Sequence, residues 1–159
     1  MNLRSENNTL DRIDRQLLAA LAADARASMA ELARRVGLSP PSVTERVRRL
    51  EDAGVIEGYG VRLNPAALGL DVAAWLRIRP VPGQLRTVVE IIHQVPEIVA
   101  CDRITGEDCF IAKVQVPDVA ELERIIDRFM PYAMTNTSVV QSSPVSPRQP
   151  PAVLAPTDA

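Results

Sequence analysis

The densest set of groups able to meet a polyanion or a base edge lies in residues 39 to 49. Ser39 is placed to cap a helix, and Pro40 follows at the first helical position, where a missing N–H is harmless. Val43, Val47 and Leu50 recur as one apolar stripe. At about 100° per residue, Pro41, Glu45, Arg48, Arg49 and Asp52 fall opposite it. Ser42 and Thr44 flank the stripe, and Arg46 lies at its boundary. Such a helix starts narrow, carries donors and acceptors for base edges, and offers guanidinium groups to phosphates, as a major-groove helix requires. Ser39, Pro41, Ser42, Thr44 and Glu45 are therefore expected at the DNA surface, with Ser42, Thr44 and Glu45 approaching bases. Arg46, Arg48 and Arg49 are expected mainly to touch phosphates or to fix the helix. Between Arg34 and Arg49 five arginines face one acid, Glu45.

The elements that must position these groups surround them. Ser28, with Glu31 three residues on, carries a capping-box pattern that starts a preceding helix. Leu32, Ala33 and Val36 supply its apolar side, and Gly37 stops it where a left-handed backbone is needed. Residues 10 to 23 form a further helix with Leu10, Ile13, Leu17, Leu18 and Leu21 on one face. Packed together these make a three-helix head. After Leu50, Gly54 ends the helix, and Val55 to Leu63 suggests a short strand or wing. A surface hairpin with merely solvated arginines is the bland alternative.

The remainder has a different rhythm. Val72, Ala74, Leu76 and Ile78 alternate with Ala73, Trp75, Arg77 and Arg79. Gln84 to Val95 reads as a helix, with Leu85, Val88, Val89 and Ile92 inward. Strands follow at Ile98 to Thr105 and Cys109 to Val116, joined by a turn at Gly106-Glu107-Asp108. Asp118 caps a helix with Leu122, Ile125, Ile126, Phe129 and Met130 inward, and Ala133 to Ser142 is a last strand. The order β-α-β-β-α-β is the ferredoxin-like arrangement. Its second sheet face holds Trp75, Ile111 and Val139, apolar enough to want a second copy of the chain. The fold class is thus α+β: a winged helix–turn–helix head over 1–63, a linker over 64–71, a ferredoxin-like domain over 72–142, and a proline-rich disordered tail over 143–159.

Composition narrows the classes. The chain has 159 residues, 47% hydrophobic and 24% charged, with a net charge of −2. Through Arg62 there are ten basic and nine acidic residues, and beyond it eight and eleven, so any polyanion contact must be a local patch. No apolar stretch predicts a signal peptide or a membrane span, and the cytoplasm is the expected location. Two cysteines, Cys101 and Cys109, give no disulfide framework and no metal spacing. His93 stands alone. No phosphate loop, catalytic triad or paired carboxylate appears, so neither an enzyme nor a cofactor is expected.

Taken together, LDRIDRQLLAAL, RASMAELARRVGLSPPSVTERVRRLEDAGVIEGY, the NPAALG linker and ITGEDCFIAKVQV resemble the Lrp/AsnC family of transcription regulators, the feast/famine regulatory proteins. The resemblance covers about residues 10 to 142. It implies a DNA-binding head and a domain that dimerises and binds amino acids, with dimers assembling into octamers or open helices. The expected partners are double-stranded DNA, further copies of the chain and an amino acid, with no membrane. Ligands of such proteins lie where dimers meet, near the loop after the second strand. Here that places Thr105, Gly106, Glu107 and Asp108 at the site, with Thr137 from the last strand. A glycine turn lets backbone N–H groups take a carboxylate, and a neighbouring acid can take an ammonium group. Many members read Thr-Gly-x-x-Asp at this loop, whereas this chain has Cys109 where that acid falls. The function read from the chain is a sequence-specific DNA-binding transcriptional regulator modulated by an amino acid. An architectural DNA-compacting protein without an effector is the alternative.

Overall fold

A computed structural model describes residues 10–145 and 147. The chain divides into two units, one running through Arg62 and the other beginning at Leu63. Of the expected tail, only residues 143–145 and 147 fall among those described. No helix among the described residues is long and apolar enough to cross a membrane.

In the first unit, α1 (Arg12–Ala23), α2 (Met29–Val36) and α3 (Pro40–Asp52) surround one core. Leu17, Leu21, Leu32, Ala33, Val43 and Val47 fill it, with Ile56 half-buried against them. Asp11 caps α1 reciprocally: its carboxylate accepts the Asp14 N–H at 2.8 Å, and Asp14 accepts the Asp11 N–H at 3.3 Å. The box expected at Ser28 forms only by half. Ser28 Oγ accepts the Glu31 N–H at 3.2 Å, but the Glu31 carboxylate turns to Arg35 instead, at 2.6 Å. An i,i+4 guanidinium attracts a carboxylate more strongly than a neutral amide does. Gly37 takes φ 71°, the left-handed stop expected of it. It and Leu38 both donate to the Ala33 carbonyl, which turns the chain directly into α3.

The strand expected over Val55 to Leu63 does not form. The Val55 and Ile56 N–H groups donate to the Leu50 carbonyl, at 2.9 and 3.1 Å, and close the end of α3. Beyond them Val61 and Leu63 are exposed. A strand needs a partner for its backbone groups, and none pairs with this segment among the described residues.

The second unit places β1 (Val72–Pro80), α4 (Leu85–Gln94), β2 (Ile98–Arg103), β3 (Phe110–Val116), α5 (Val119–Phe129) and β4 (Ala133–Val139) in the expected order. The sheet runs β2-β3-β1-β4, antiparallel throughout. Ala74, Leu76, Ile78, Phe110, Ala112, Val114 and Val116 are buried on one face against Val88 and Ile91 of α4 and Leu122, Ile125 and Phe129 of α5.

Four details differ from expectation. The α4 stripe centres on Val88, Ile91 and Val95, so Leu85 stands to one side and is exposed, while Val89 and Ile92 are only half-buried. Met130 lies at the end of α5 rather than within it and is exposed. β2 and β4 stop at Arg103 and Val139, short of the expected Thr105 and Ser142. Val139 pairs with Ala74, which places it on the helix side and not beside Trp75. The open face instead carries Trp75 and Arg77 with Ile111, Lys113, Asn136 and Ser138 across from them.

Candidate nucleic-acid interface and effector loop

The outward side of α3 follows from its inward one. With Val43, Val47 and Leu50 buried, Pro41, Ser42, Thr44, Glu45, Arg48 and Arg49 are exposed and Arg46 is half-buried. Ser39 Oγ accepts the Ser42 N–H and lies 2.8 Å from Ser42 Oγ, which fixes the first turn. The Thr44 hydroxyl donates to the Pro40 carbonyl at 2.9 Å. Its proton is thereby used, leaving lone pairs and a methyl group, the latter suited to a thymine methyl. Glu45 has no ion-pair partner among the described residues, and a free carboxylate suits a cytosine amino group. Pro41, Ser42, Glu45, Arg46 and Arg49 line one open depression with Leu38.

The arginines divide into two kinds. Arg48 is 72% exposed and stands 3.7 Å from Asp52, a loose pair. Arg46 and Arg49 reach back to α1 instead. Arg46 Nη1 donates to Asp11 at 2.6 Å and to Asp14 at 2.8 Å, and Arg49 Nη2 contacts both Asp14 oxygens at 2.8 and 3.0 Å. Partial burial raises the Asp11 pKa, but the Asp14 N–H and the Arg46 guanidinium outweigh it, so the carboxyl sits below its ordinary value. Arg46 and Arg49 thus tie α3 to the start of α1, while Arg48 is the one on α3 held only loosely.

Tyr59, after the helix, donates its hydroxyl to Glu51 at 2.7 Å. Burial and that contact push its pKa up to about 12, so it remains a neutral donor.

The loop between β2 and β3 brings four expected residues together. The Ile104 N–H donates to the Cys109 carbonyl at 2.9 Å, and the Cys109 N–H to the Ile78 carbonyl at 3.0 Å. These bonds pin both ends of a loop holding Thr105, Gly106, Glu107 and Asp108. Gly106 has φ 115°, a conformation that disfavours a side chain. Arg79 donates to Glu107 at 2.8 Å and approaches Asp108 at 3.6 Å. Thr137 stands apart: it pairs with Leu76 and so belongs to the helix side of the sheet.

Two groups here were not singled out from sequence. Asp14 had a signal, a carboxylate one helical turn before Leu17 on the stripe of α1. Arg79 had one too, since alternation puts it on the open face at the strand end nearest the loop. Burial, with Asp102 beside it, pushes the Cys101 thiol up, which suits a small half-buried hydrophobe. No group of three or more metal-ligating side chains occurs among the described residues.

The head matches the winged helix-turn-helix DNA-binding family over residues 10–57, and residues 73–150 match the Lrp/AsnC ligand binding domain. The chain is 38% identical over 146 residues to the HTH-type transcriptional regulator LrpA of Mycobacterium tuberculosis, covering 90% of this chain and 97% of that one. It is 38% identical over 133 residues to the regulator LrpC of Bacillus subtilis, covering 84% and 92%. The solved structure of B. subtilis LrpC superposes with TM-score 0.82 at 35% identity, over 92% of this chain and all of that one. A feast or famine regulatory protein from M. tuberculosis, solved in complex with L-methionine, superposes with TM-score 0.82 at 37% identity, over 88% of this chain and 97% of that one.

Proposed function

We propose, from the premise that the chain belongs to the Lrp/AsnC family of transcriptional regulators, that it binds a specific duplex sequence through α3 and that a free amino acid modulates this binding. The observation that carries the reading is the division of labour on α3. Ser42, Thr44 and Glu45 face outward on its early turns while Arg46 and Arg49 are braced from behind. Ser39 and Pro41 shape the start of the helix, and Arg48 is free to reach a phosphate.

The effector site is the Thr105–Asp108 loop, with Thr137 contributing only if a partner dimer brings its strand near. A zwitterion suits a loop that offers backbone N–H groups around Gly106, two carboxylates and the Arg79 guanidinium. The open sheet face at Trp75 joins two copies into a dimer, which presents two heads to a roughly palindromic site, and dimers assemble further. The exposed Trp75 is the apolar anchor of this otherwise mixed face, with Arg77, Lys113, Asn136 and Ser138 around it to form polar contacts between copies. The protein binds rather than catalyses, and works in the cytoplasm.

Binding at the loop raises thermal stability, by about 2.7 kcal/mol at a hundred times the dissociation constant. Melting the protein with each of twenty amino acids tests it. A shift with one of them, reduced in Asp108→Ala, supports the site. No shift with any supports a second reading, an architectural DNA-binding protein without an effector. That reading draws on the Arg79 pairing, which already satisfies Glu107 and crowds Asp108.

A further inference from the structure

Asp14 is 2% exposed, a carboxylate covered by Arg46 and Arg49 of α3. A charge so placed is tolerable only when paired and hydrogen-bonded. Its Oδ1 accepts from Arg46 Nη1 at 2.8 Å and from Arg49 Nη2 at 3.0 Å, and its Oδ2 accepts from Arg49 Nη2 at 2.8 Å and from the Asp11 N–H at 3.3 Å. Both arginines belong to α3, and both line the outward depression beside Ser42 and Glu45.

We propose that Asp14 is a positioning residue for DNA recognition, holding Arg46 and Arg49 so that α3 meets the groove with both guanidinium groups already set. The proposal rests on the reading of α3 as the recognition helix. Each guanidinium is engaged through one terminal nitrogen only, and an arginine carries five N–H donors. The remaining donors have no partner among the described residues, and the Arg49 side chain is 54% exposed. A side chain ordered before binding loses less freedom on meeting DNA. With Asp11 included, two carboxylates face two guanidiniums, so the cluster is close to neutral. It adds little to long-range attraction, and what it supplies is orientation.

That distinction gives the test. Asp14→Asn in the full chain keeps the shape, removes one negative charge and loosens both arginines. Affinity is measured for the duplex that the unaltered protein selects from a random pool, and for poly(dI-dC) as the non-specific probe. The ratio of the two affinities should fall about tenfold, because loosened guanidinium groups no longer fix the register in which Ser42, Thr44 and Glu45 meet base edges, a loss equal to about one well-oriented base contact. Affinity for poly(dI-dC) should stay level or rise, because the head becomes more positive. A role confined to holding the fold would scale both affinities by the fraction of competent protein and leave the ratio alone. An unchanged ratio overturns the proposal.

If Asp14→Asn does not fold, Asp11→Asn decides. Asparagine caps a helix as well as aspartate does, and the Asp11 side chain is 48% exposed while contacting Arg46. A ratio about threefold lower, for one weakened contact, supports the positioning role, and an unchanged ratio overturns it. A pool that yields no preferred duplex would overturn the recognition-helix reading itself, and with it this inference.

Discussion

Replacing Arg48 with alanine separates phosphate contact from base reading. The arginine is 72% exposed, and its only ion-pair partner among the described residues, Asp52, is equally exposed and 3.7 Å away. An exposed pair one helical turn apart contributes at most about 0.5 kcal/mol. Arg48→Ala should therefore leave the denaturation midpoint of the head nearly unchanged, and the wild-type side chain gives up little when it turns to a phosphate. Each phosphate contact contributes about 0.9 to the slope of log affinity against log salt. The proposed dimer presents two heads, so the slope should fall by about 1.8, which makes the affinity loss between 50 and 200 mM salt about tenfold smaller. Fluorescence anisotropy of a labelled duplex over a salt series reads this directly. Binding should weaken alike on all sequences. An unchanged slope with an altered base preference would refute the reasoning and move Arg48 among the base-reading residues.

Phe129 is fully buried beneath the sheet, so Phe129→Ala should destabilise the second unit by about 3 to 5 kcal/mol, measured by denaturation followed at Trp75, the only tryptophan. The Asp11 carboxyl is held below its ordinary value of 3.8 in the folded chain. A depressed folded pKa means the charged form favours folding above the unfolded value, and that contribution disappears as pH falls through the folded one. The head should therefore lose stability below about pH 4, and Asp11→Asn should flatten that acid limb in circular dichroism. Trp75→Glu on the open sheet face should turn dimers into monomers in sedimentation, and a dimer that survives would place the interface elsewhere.

The helix–turn–helix was legible because its signals are local. Ser28, Gly37, Ser39 and Pro40 mark ends, and the apolar spacing marks the inner face, so three helices fall where the residues indicate. The sheet was legible for the same reason: β3 alternates along its length, and in β1 the buried Ala74, Leu76 and Ile78 alternate with the exposed Trp75 and Arg77. What sequence could not give was pairing at a distance. Asp14 looks like an unpaired acid on the apolar stripe of α1 until Arg46 and Arg49, more than thirty positions away, arrive beside it. Val139 looks like a neighbour of Trp75 until the register places it opposite Ala74. The segment after α3 has strand-forming residues, but a strand is a relation between two segments, and Val55 and Ile56 close the helix instead. At the loop, Gly106 and its acids were visible, while the Arg79 partner depended on where β1 ends.

The most direct test of the central claim is the affinity of the protein for its selected duplex, measured with and without each of twenty amino acids. At least one should change that affinity some 5- to 150-fold, the coupling usual between linked sites, and Asp108→Ala should reduce the change. Twenty superimposable binding curves would contradict the claim.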